Sequence, residues 1–167
     1  MLYEFGFGLS YTTFSITGNC PTAHTWTLSP GVSRGALRAG AVPGGNTSCT
    51  VTVRNTGSVA GDEVVMVFAR PSAGTARARA AARDPLATKR LVAFQRVSLA
   101  PGQSVDVPFS FDPTALAEVD AAGDRVIYAG EYSLGVGRGQ AQEVAWGVRV
   151  RVAGGGDRVL VRRYPKL

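Results

Sequence analysis

The segment Ser48-Cys49-Thr50-Val51-Thr52-Val53-Arg54 alternates apolar and polar residues without a break. Cys49, Val51 and Val53 point to one side of an extended chain, and the polar residues point to the other. Asn55-Thr56-Gly57 then ends the run with turn-forming residues. The segment is therefore predicted to be a β-strand with one face on a core and one face in solvent.

The same period-two pattern recurs in both directions from this strand. The apolar positions that share it are Phe14 and Ile16; Trp26 and Leu28; Val105, Val107, Phe109 and Phe111; Tyr132, Leu134 and Val136; and Val144, Trp146, Val148, Val150 and Val152. Val64–Phe68 is continuously apolar, which indicates a central strand covered on both sides. Pro108 cannot donate to a ladder, so its strand is expected to lie at an edge or to be bulged there. Some seven to eight short strands separated by Gly, Pro and Asn turns predict an all-β antiparallel sandwich.

Composition agrees with a single folded domain. The chain has 167 residues, 45% hydrophobic and 18% charged, a balance typical of a packed core. No apolar run approaches the roughly 20 residues that span a bilayer, so no membrane partner is predicted. Met1 leads directly into an aromatic and glycine-rich stretch, so any signal peptide of a secreted parent is expected upstream.

Eighteen Lys and Arg against twelve Asp and Glu give a net charge of +6. The basic residues gather in two groups, one within residues 70–90 and one within residues 149–166. Such a charge attracts polyanions in general. The sequence has no nucleic-acid reader motif and no interleaved stacking aromatics, so we interpret the arginines as solvated and predict no nucleic-acid partner.

Cys20 and Cys49 are the only cysteines, and spacing alone leaves a disulfide and two free thiols both open. Two cysteines and the single His24 are too few for a structural zinc site, and no cofactor is predicted. Asn46-Thr47-Ser48 is an N-glycosylation sequence within a glycine-rich loop.

Two glycines alternate with two phenylalanines at the start of the chain, in Phe5-Gly6-Phe7-Gly8. The surrounding stretch from Leu2 to Phe14 resembles the junction that precedes the C-terminal fibronectin type III-like domain in family 3 glycoside hydrolases, the β-glucosidases and β-xylosidases. Three further matches follow in the same order: Val51–Val65, Lys89–Gly102 and Gly130–Gly137. The family usually has Pro where this chain has Glu4, and often His or Tyr at Phe7. Pro71–Gly74 and Leu116–Asp120 resemble the β-xylosidase and α-arabinofuranosidase branch.

The resemblance implies an immunoglobulin-like, fibronectin type III-like sandwich and a non-catalytic role. In this family the nucleophile lies in a barrel module and the acid/base in or near an α/β module, and neither module is present in this chain. We therefore carry over no catalytic residue, and we expect the isolated chain to be inactive on glycosides. The expected partners are those two modules, in a secreted, cell-wall or vacuolar parent. The oligomeric state is left open.

The expected organisation is a junction at residues 1–8, the sandwich at residues 9–153 and a flexible basic tail at residues 154–167. The hypothesis for interdomain contact names Phe5, Gly6, Phe7, Gly8 and Tyr11 at the junction, with Arg77, Arg79 and Arg83 in a solvated excursion.

Two other functions remain open from the residues alone. The first is a free-standing carbohydrate-binding or adhesion sandwich, in which Trp26 would stack on a sugar ring. The second is a basic module that binds polyanions through its arginines.

Overall fold

The computed structural model describes residues 10–38, 41–75, 88–138 and 144–162, without the side chains of residues 37, 38 and 162. Eleven strands lie within these residues. They are β1 (Phe14–Asn19), β2 (Ala23–Leu28), β3 (Thr47–Asn55), β4 (Gly61–Pro71), β5 (Arg90–Leu99), β6 (Ser104–Phe111), β7 (Glu118–Val119), β8 (Arg125–Tyr128), β9 (Gly130–Gly137), β10 (Val144–Val152) and β11 (Arg158–Arg162). The helices are the five-residue α1 (Arg34–Arg38) and a 3-10 turn at Pro113–Leu116, and residues 73–75 are also helical.

Two sheets form the sandwich, and a small third sheet adjoins them. The first has three strands in the order β1-β3-β6, and the second has five in the order β2-β10-β9-β4-β5. The third has the order β11-β8-β7. All described pairs are antiparallel except β2 with β10, which is parallel. An all-β, mainly antiparallel sandwich is therefore confirmed, with more strands than the seven or eight predicted.

The chain passes from one sheet to the other between β1 and β2. β1 pairs with β3 as far as Asn19, and the chain joins β10 from Ala23 onward. Cys20 lies at this crossing and forms a disulfide with Cys49 on β3, with the two Cα atoms 4.5 Å apart. The crossing is thus tied covalently to the centre of the three-stranded sheet.

The alternating apolar residues fill the space between the sheets, as the sequence pattern predicts. Those that are fully buried or nearly so include Phe14, Ile16, Trp26, Leu28, Cys49, Val51, Val53, Val65, Val67, Val107, Phe109, Phe111, Leu134, Val136, Trp146, Val148 and Val150. Each core strand therefore contributes one face, and burial of these side chains supplies the main stabilising term.

Two local predictions about turns and edges are confirmed. Pro108 lies on β6, an edge strand of the three-stranded sheet, where its missing N–H breaks no ladder. The turn at Ala100–Gln103 is closed by a Gln103 N–H to Ala100 C=O bond of 3.0 Å, and Gly102 adopts a φ of 74°.

The prediction of a flexible tail after residue 153 is wrong for residues 158–162. These residues form β11, which pairs with β8, and they bury Val159 and Val161. Arg158 also donates to Asp120, a nearly buried carboxylate that two backbone N–H groups of its own turn hold at 2.9 Å. The short alternation of Val159 and Val161 follows Gly154-Gly155-Gly156, a sequence typical of a flexible linker. In the structure, Gly154 and Gly155 instead form a positive-φ turn that leads into the strand.

Candidate functional site

The two outer faces of the sandwich differ in chemistry. On the three-stranded sheet, the residues that alternate with the core and face solvent are polar or proline: Ser48, Thr50, Arg54, Ser104, Asp106, Pro108 and Ser110. Thr52 donates to Asp106 at 2.7 Å across this face. This surface has the composition of an ordinary solvated sheet face.

The outer face of β4 and β5 is apolar. Val64 and Met66 alternate with the buried Val65 and Val67, and Phe94 lies opposite Met66 in the ladder. Because ladder partners point to the same side, Phe94 also faces outward, with 68% of its surface exposed.

A bulge in this pair of strands adds a fourth apolar residue. The register shifts between Val67 and Phe68, which brings Leu91 opposite Phe68 on the outer face. Phe68 itself is only 3% exposed, with the Lys89 Nζ 3.8 Å from its ring centroid, whereas Leu91 is 38% exposed. Val64, Met66, Leu91 and Phe94 together are called the apolar patch below.

Charged residues limit the apolar patch at one end. Asp62 accepts hydrogen bonds from the Ser98 hydroxyl and from the Arg96 guanidinium, whose Nε lies 3.0 Å from the carboxylate. The Ser98 bond, followed by the Arg96 bond, lowers the pKa of Asp62 below its usual 3.8. The carboxylate thus stays charged and paired beside the apolar surface.

Across the sheet the outer face becomes small and then charged. Gly135 and Gly137 on β9 lie opposite Phe68 and Met66, and Ala145 on β10 lies opposite Gly135. Farther along β10, Arg149 forms an exposed ion pair with Glu131. The apolar surface is therefore confined to the β4–β5 side of the sheet, where β5 is the edge strand.

A groove of about 420 Å³ adjoins the apolar patch at Leu91. Arg90 donates to the carbonyl oxygens of Ala115 and Ala117 and so joins β5 to the 3-10 turn. Asp112 caps that turn by accepting from the Thr114 N–H at 2.6 Å. The lining of the groove is mainly polar and includes Arg125, so it forms a hydrogen-bonding rim beside an apolar centre.

Tyr11 lies at the other end of β4 and is almost fully exposed, at 99%. Its neighbour Thr12 donates to Asn55 at 2.7 Å, and the methyl group of Thr12 lies against Gly61 at the start of β4. Phe5, Gly6, Phe7 and Gly8 lie outside the described residues. Of the proposed junction contacts, only Tyr11 can be placed.

Arg77, Arg79 and Arg83 also lie outside the described residues. The described residues on either side of them include Pro71, where β4 ends, and Arg90, where β5 begins. Tyr11 lies near the opposite ends of the same two strands, and a strand of eleven residues is roughly 35 Å long. The structure therefore does not bring Tyr11 next to the ends of the arginine-rich excursion.

Trp26 does not offer a surface for sugar stacking. It is fully buried, its Nε1 donates to the Gly45 carbonyl at 2.7 Å, and its ring meets His24 edge to face at a centroid distance of 5.2 Å. The hypothesis of stacking on Trp26 is wrong, because an indole next to a turn can bury its ring and still satisfy its N–H through a backbone carbonyl.

His24 is a structural residue beside this tryptophan. Burial lowers the pKa of His24 below 6.5, and a hydrogen bond with the Gly45 backbone opposes that shift. Its Nε2 is buried without a hydrogen-bond partner among the described residues. Within the ranges that the structure describes, no three His, Cys, Asp or Glu residues lie close enough together to hold a metal ion. The helices of these ranges are also too short to cross a membrane.

The match of residues 63–140 to the model of the fibronectin type III-like domain confirms the predicted immunoglobulin-like, fibronectin type III-like fold class. The chain is 37% identical over 141 residues to a probable exo-1,4-β-xylosidase of Aspergillus fumigatus, a match that covers 80% of this chain and 16% of the relative. It is also 37% identical over 145 residues to a probable β-glucosidase G of Aspergillus flavus, covering 82% and 16%.

A solved structure gives the same result. The family 3 β-glucosidase of Bifidobacterium adolescentis matches with a TM-score of 0.61 and 28% identity, over 89% of this chain and 18% of that one. This chain therefore carries the fibronectin type III-like domain found in family 3 β-glucosidases and β-xylosidases. It spans about a sixth of the length of these relatives.

Proposed function

We propose that this chain acts as a non-catalytic accessory domain of a family 3 β-glycosidase and that its apolar patch docks on the catalytic modules of that protein. The observation that carries the proposal is the difference between the two outer faces. Among the described residues, clustered apolar side chains occur on the β4–β5 side and not on the face of the three-stranded sheet. Exposed clusters of this kind, rimmed by polar groups, are typical of protein–protein contacts.

The layout of the apolar patch suits one side of such an interface. Phe94 supplies a large aromatic anchor at the centre, and aromatic residues dominate the energetics of interface cores. Asp62, Arg96 and the polar groove next to Leu91 would form the rim. Docking would stabilise the catalytic modules by binding only their folded state.

We propose a β-xylosidase-like parent, on the basis of Pro71–Gly74 and Leu116–Asp120. The second segment ends the 3-10 turn that lines the groove, and it continues into β7 and the Asp120 turn. A β-xylosidase and a β-glucosidase are equally similar to this chain, at 37% identity, so overall identity does not decide the sugar.

The docking is tested in a chimaera. The matching segment of the Aspergillus fumigatus β-xylosidase is replaced by this chain, and variants Phe94→Asp and Thr50→Asp are compared. Thr50 is the matched control because it is exposed on the polar outer face. In the isolated domain both variants should unfold within about 0.5 kcal/mol of the wild type.

In the chimaera, Phe94→Asp should lower the thermal inactivation midpoint of xylosidase activity, and Thr50→Asp should leave it unchanged. An equal effect of the two variants in the chimaera would refute docking through the apolar patch. Turnover of aryl β-xylosides or β-glucosides by the isolated chain, abolished by mutating one of its own carboxylates, would refute the non-catalytic assignment.

A further inference from the structure

The loop before β3 presents the one Asn-X-Ser/Thr sequence of the chain on the polar outer face. Asn46 and Ser48 are exposed, whereas Thr47 between them points inward and is 2% exposed. Asn46 is the residue that would receive an oligosaccharide and Ser48 is the hydroxyl residue of the acceptor sequence. Both lie on the solvent side of the folded strand, so a glycan could project from Asn46 without displacing any core residue.

The loop that carries Asn46 is held along the free edge of β2. Pro43 accepts a hydrogen bond from the Thr27 N–H at 3.1 Å, and Gly45 accepts from the Trp26 indole at 2.7 Å. Gly44 lies so close to Thr25 that a Cβ there would stand 2.2 Å from its carbonyl oxygen. These contacts fix the backbone against the sheet while Asn46 faces outward.

The nearby disulfide is an independent observation about the compartment. Cys49, three residues after Asn46, is bonded to Cys20. Structural disulfides form and persist in oxidising compartments such as the secretory pathway, where Asn-X-Ser/Thr sequences are also modified. A disulfide at Cys49 and a glycan at Asn46 would thus be formed on the same route through the cell.

We propose that Asn46 is an N-glycosylation site. The donor is a lipid-linked oligosaccharide pyrophosphate supplied by the secretory membrane. A bond forms between Asn46 Nδ2 and the anomeric carbon of the first sugar, the bond from that carbon to the pyrophosphate breaks, Nδ2 loses one proton and the lipid pyrophosphate leaves.

This site is separate from the proposed docking surface. Asn46 precedes β3 in the three-stranded sheet, whereas the apolar patch lies on the outer face of the other sheet. A glycan on Asn46 would therefore leave the apolar patch open, and the two proposals can fail independently.

The test is expression of the full 167-residue chain behind a secretory signal in a eukaryotic host, with glycan occupancy read by mass spectrometry in both medium and cell lysate. Wild type, Ser48→Thr and Thr47→Val should each carry one glycan that peptide-N-glycosidase removes. Asn46→Gln and Ser48→Ala should carry none. Thr47→Val is the matched control because it changes the segment but keeps an acceptor sequence.

Unmodified Asn46 in wild-type chains that contain the Cys20–Cys49 disulfide would overturn the proposal, since those chains have entered the oxidising compartment. Persistence of the glycan in Ser48→Ala would also overturn it, because the sugar would then be attached elsewhere. Lysate is included so that a variant retained in the cell still gives a result.

Discussion

The outer faces of the two sheets are built on one shared core, and they differ in the residues that alternate with it. Along β3 and β6 the outward positions are Ser, Thr, Asp, Arg and Pro, whereas on β4 and β5 they include Val64, Met66, Leu91 and Phe94. Both sheets contribute apolar inward residues to this core. The residues that face inward therefore specify the fold. The residues that face outward distinguish a solvated face from a face suited to a protein partner.

The difference matters more because β5 is an edge strand. An exposed edge that also carries outward apolar side chains favours association with other chains unless it is covered. The edge of β2, at the other side of the same sheet, is covered by the loop at residues 41–46. Covering of the β5 side by other modules of a parent protein would remove that liability.

The largest expected change in stability comes from removing the Asn55 side chain, whose hydrogen bonds join the two sheets of the sandwich near Tyr11. Asn55 is fully buried at the end of β3. Its amide donates to the carbonyls of Val59 and Leu99 at 2.8 and 3.0 Å, and its oxygen accepts from Thr12 and from the Gly57 N–H. Asn55→Ala leaves these four groups without their partner, so we expect a loss of about 3–5 kcal/mol in the free energy of unfolding.

Chemical denaturation of the purified domain measures this loss. Asn55→Asp is the conservative comparison, since it keeps the acceptor oxygen but removes both N–H donors. Thr56→Ala is the control, because Thr56 is exposed and bonds only the neighbouring Thr13 hydroxyl through its side chain. A loss below about 1 kcal/mol for Asn55→Ala would show that this link does not hold the two layers together.

The second link between the layers is the Cys20–Cys49 disulfide, at the crossing from β1 to β2. It joins positions 29 residues apart. On the chain-entropy model, a loop of this size stabilises the folded state by about 3–4 kcal/mol. The double variant Cys20→Ser/Cys49→Ser should therefore lower the unfolding free energy by about that amount, measured against the oxidised wild type.

Reduction of the wild type offers a comparison without mutation. The reduced wild type should unfold at nearly the same denaturant concentration as the double variant. Equal midpoints for oxidised and reduced protein would contradict a stabilising role for the disulfide.

Much of this fold could be read from sequence because its strands are amphipathic. The alternation at Cys49–Val53 and Trp146–Val152 fixes both the strands and their buried faces. Phe94 could also have been assigned outward by counting back from Leu99. Leu91 could not, because a bulge at Val92, opposite Val67 and Phe68, shifts the register and a bulge has no clear signal in one sequence.

Trp26 and β11 show where local patterns were insufficient. Trp26 alternates with polar residues in a glycine- and proline-rich region, so the sequence could not distinguish an exposed ring from one that satisfies its N–H on Gly45. β11 depends on pairing with β8, about thirty residues earlier in the chain, and such long-range pairing is absent from a local pattern.

A smaller change in stability is expected at Thr47, which lies beneath the polar outer face. The Thr47 hydroxyl is buried and has no hydrogen-bond partner among the described residues. Val has nearly the same shape, so Thr47→Val removes a desolvated polar group and should raise the unfolding free energy by about 1 kcal/mol. Thr50→Val, exposed on the same strand, is the control and should change stability by less than about 0.5 kcal/mol. A clear loss of stability in Thr47→Val would mean that the hydroxyl has a partner, such as an ordered water.

The smallest effect is expected at the charged end of the apolar patch and depends on pH. The Ser98 hydroxyl and then Arg96 lower the pKa of Asp62 below 3.8 in the folded state, so between the folded and the unfolded pKa the unfolded chain binds more protons. The stabilisation by Asp62 is therefore complete above the ordinary pKa of 3.8 and is lost as the pH falls through the lower pKa of the folded state.

Asp62→Asn should differ from the wild type in unfolding free energy at neutral pH and converge with it in acid below pH 3.8. Ser98→Ala and Arg96→Gln should each reduce this acid dependence, and added salt should weaken only the part due to the Arg96 charge, since salt screens exposed charges. Acid unfolding curves that are the same for the wild type and Asp62→Asn would show that the pair contributes nothing to the folded domain, leaving its place on the rim of the docking surface as its only role.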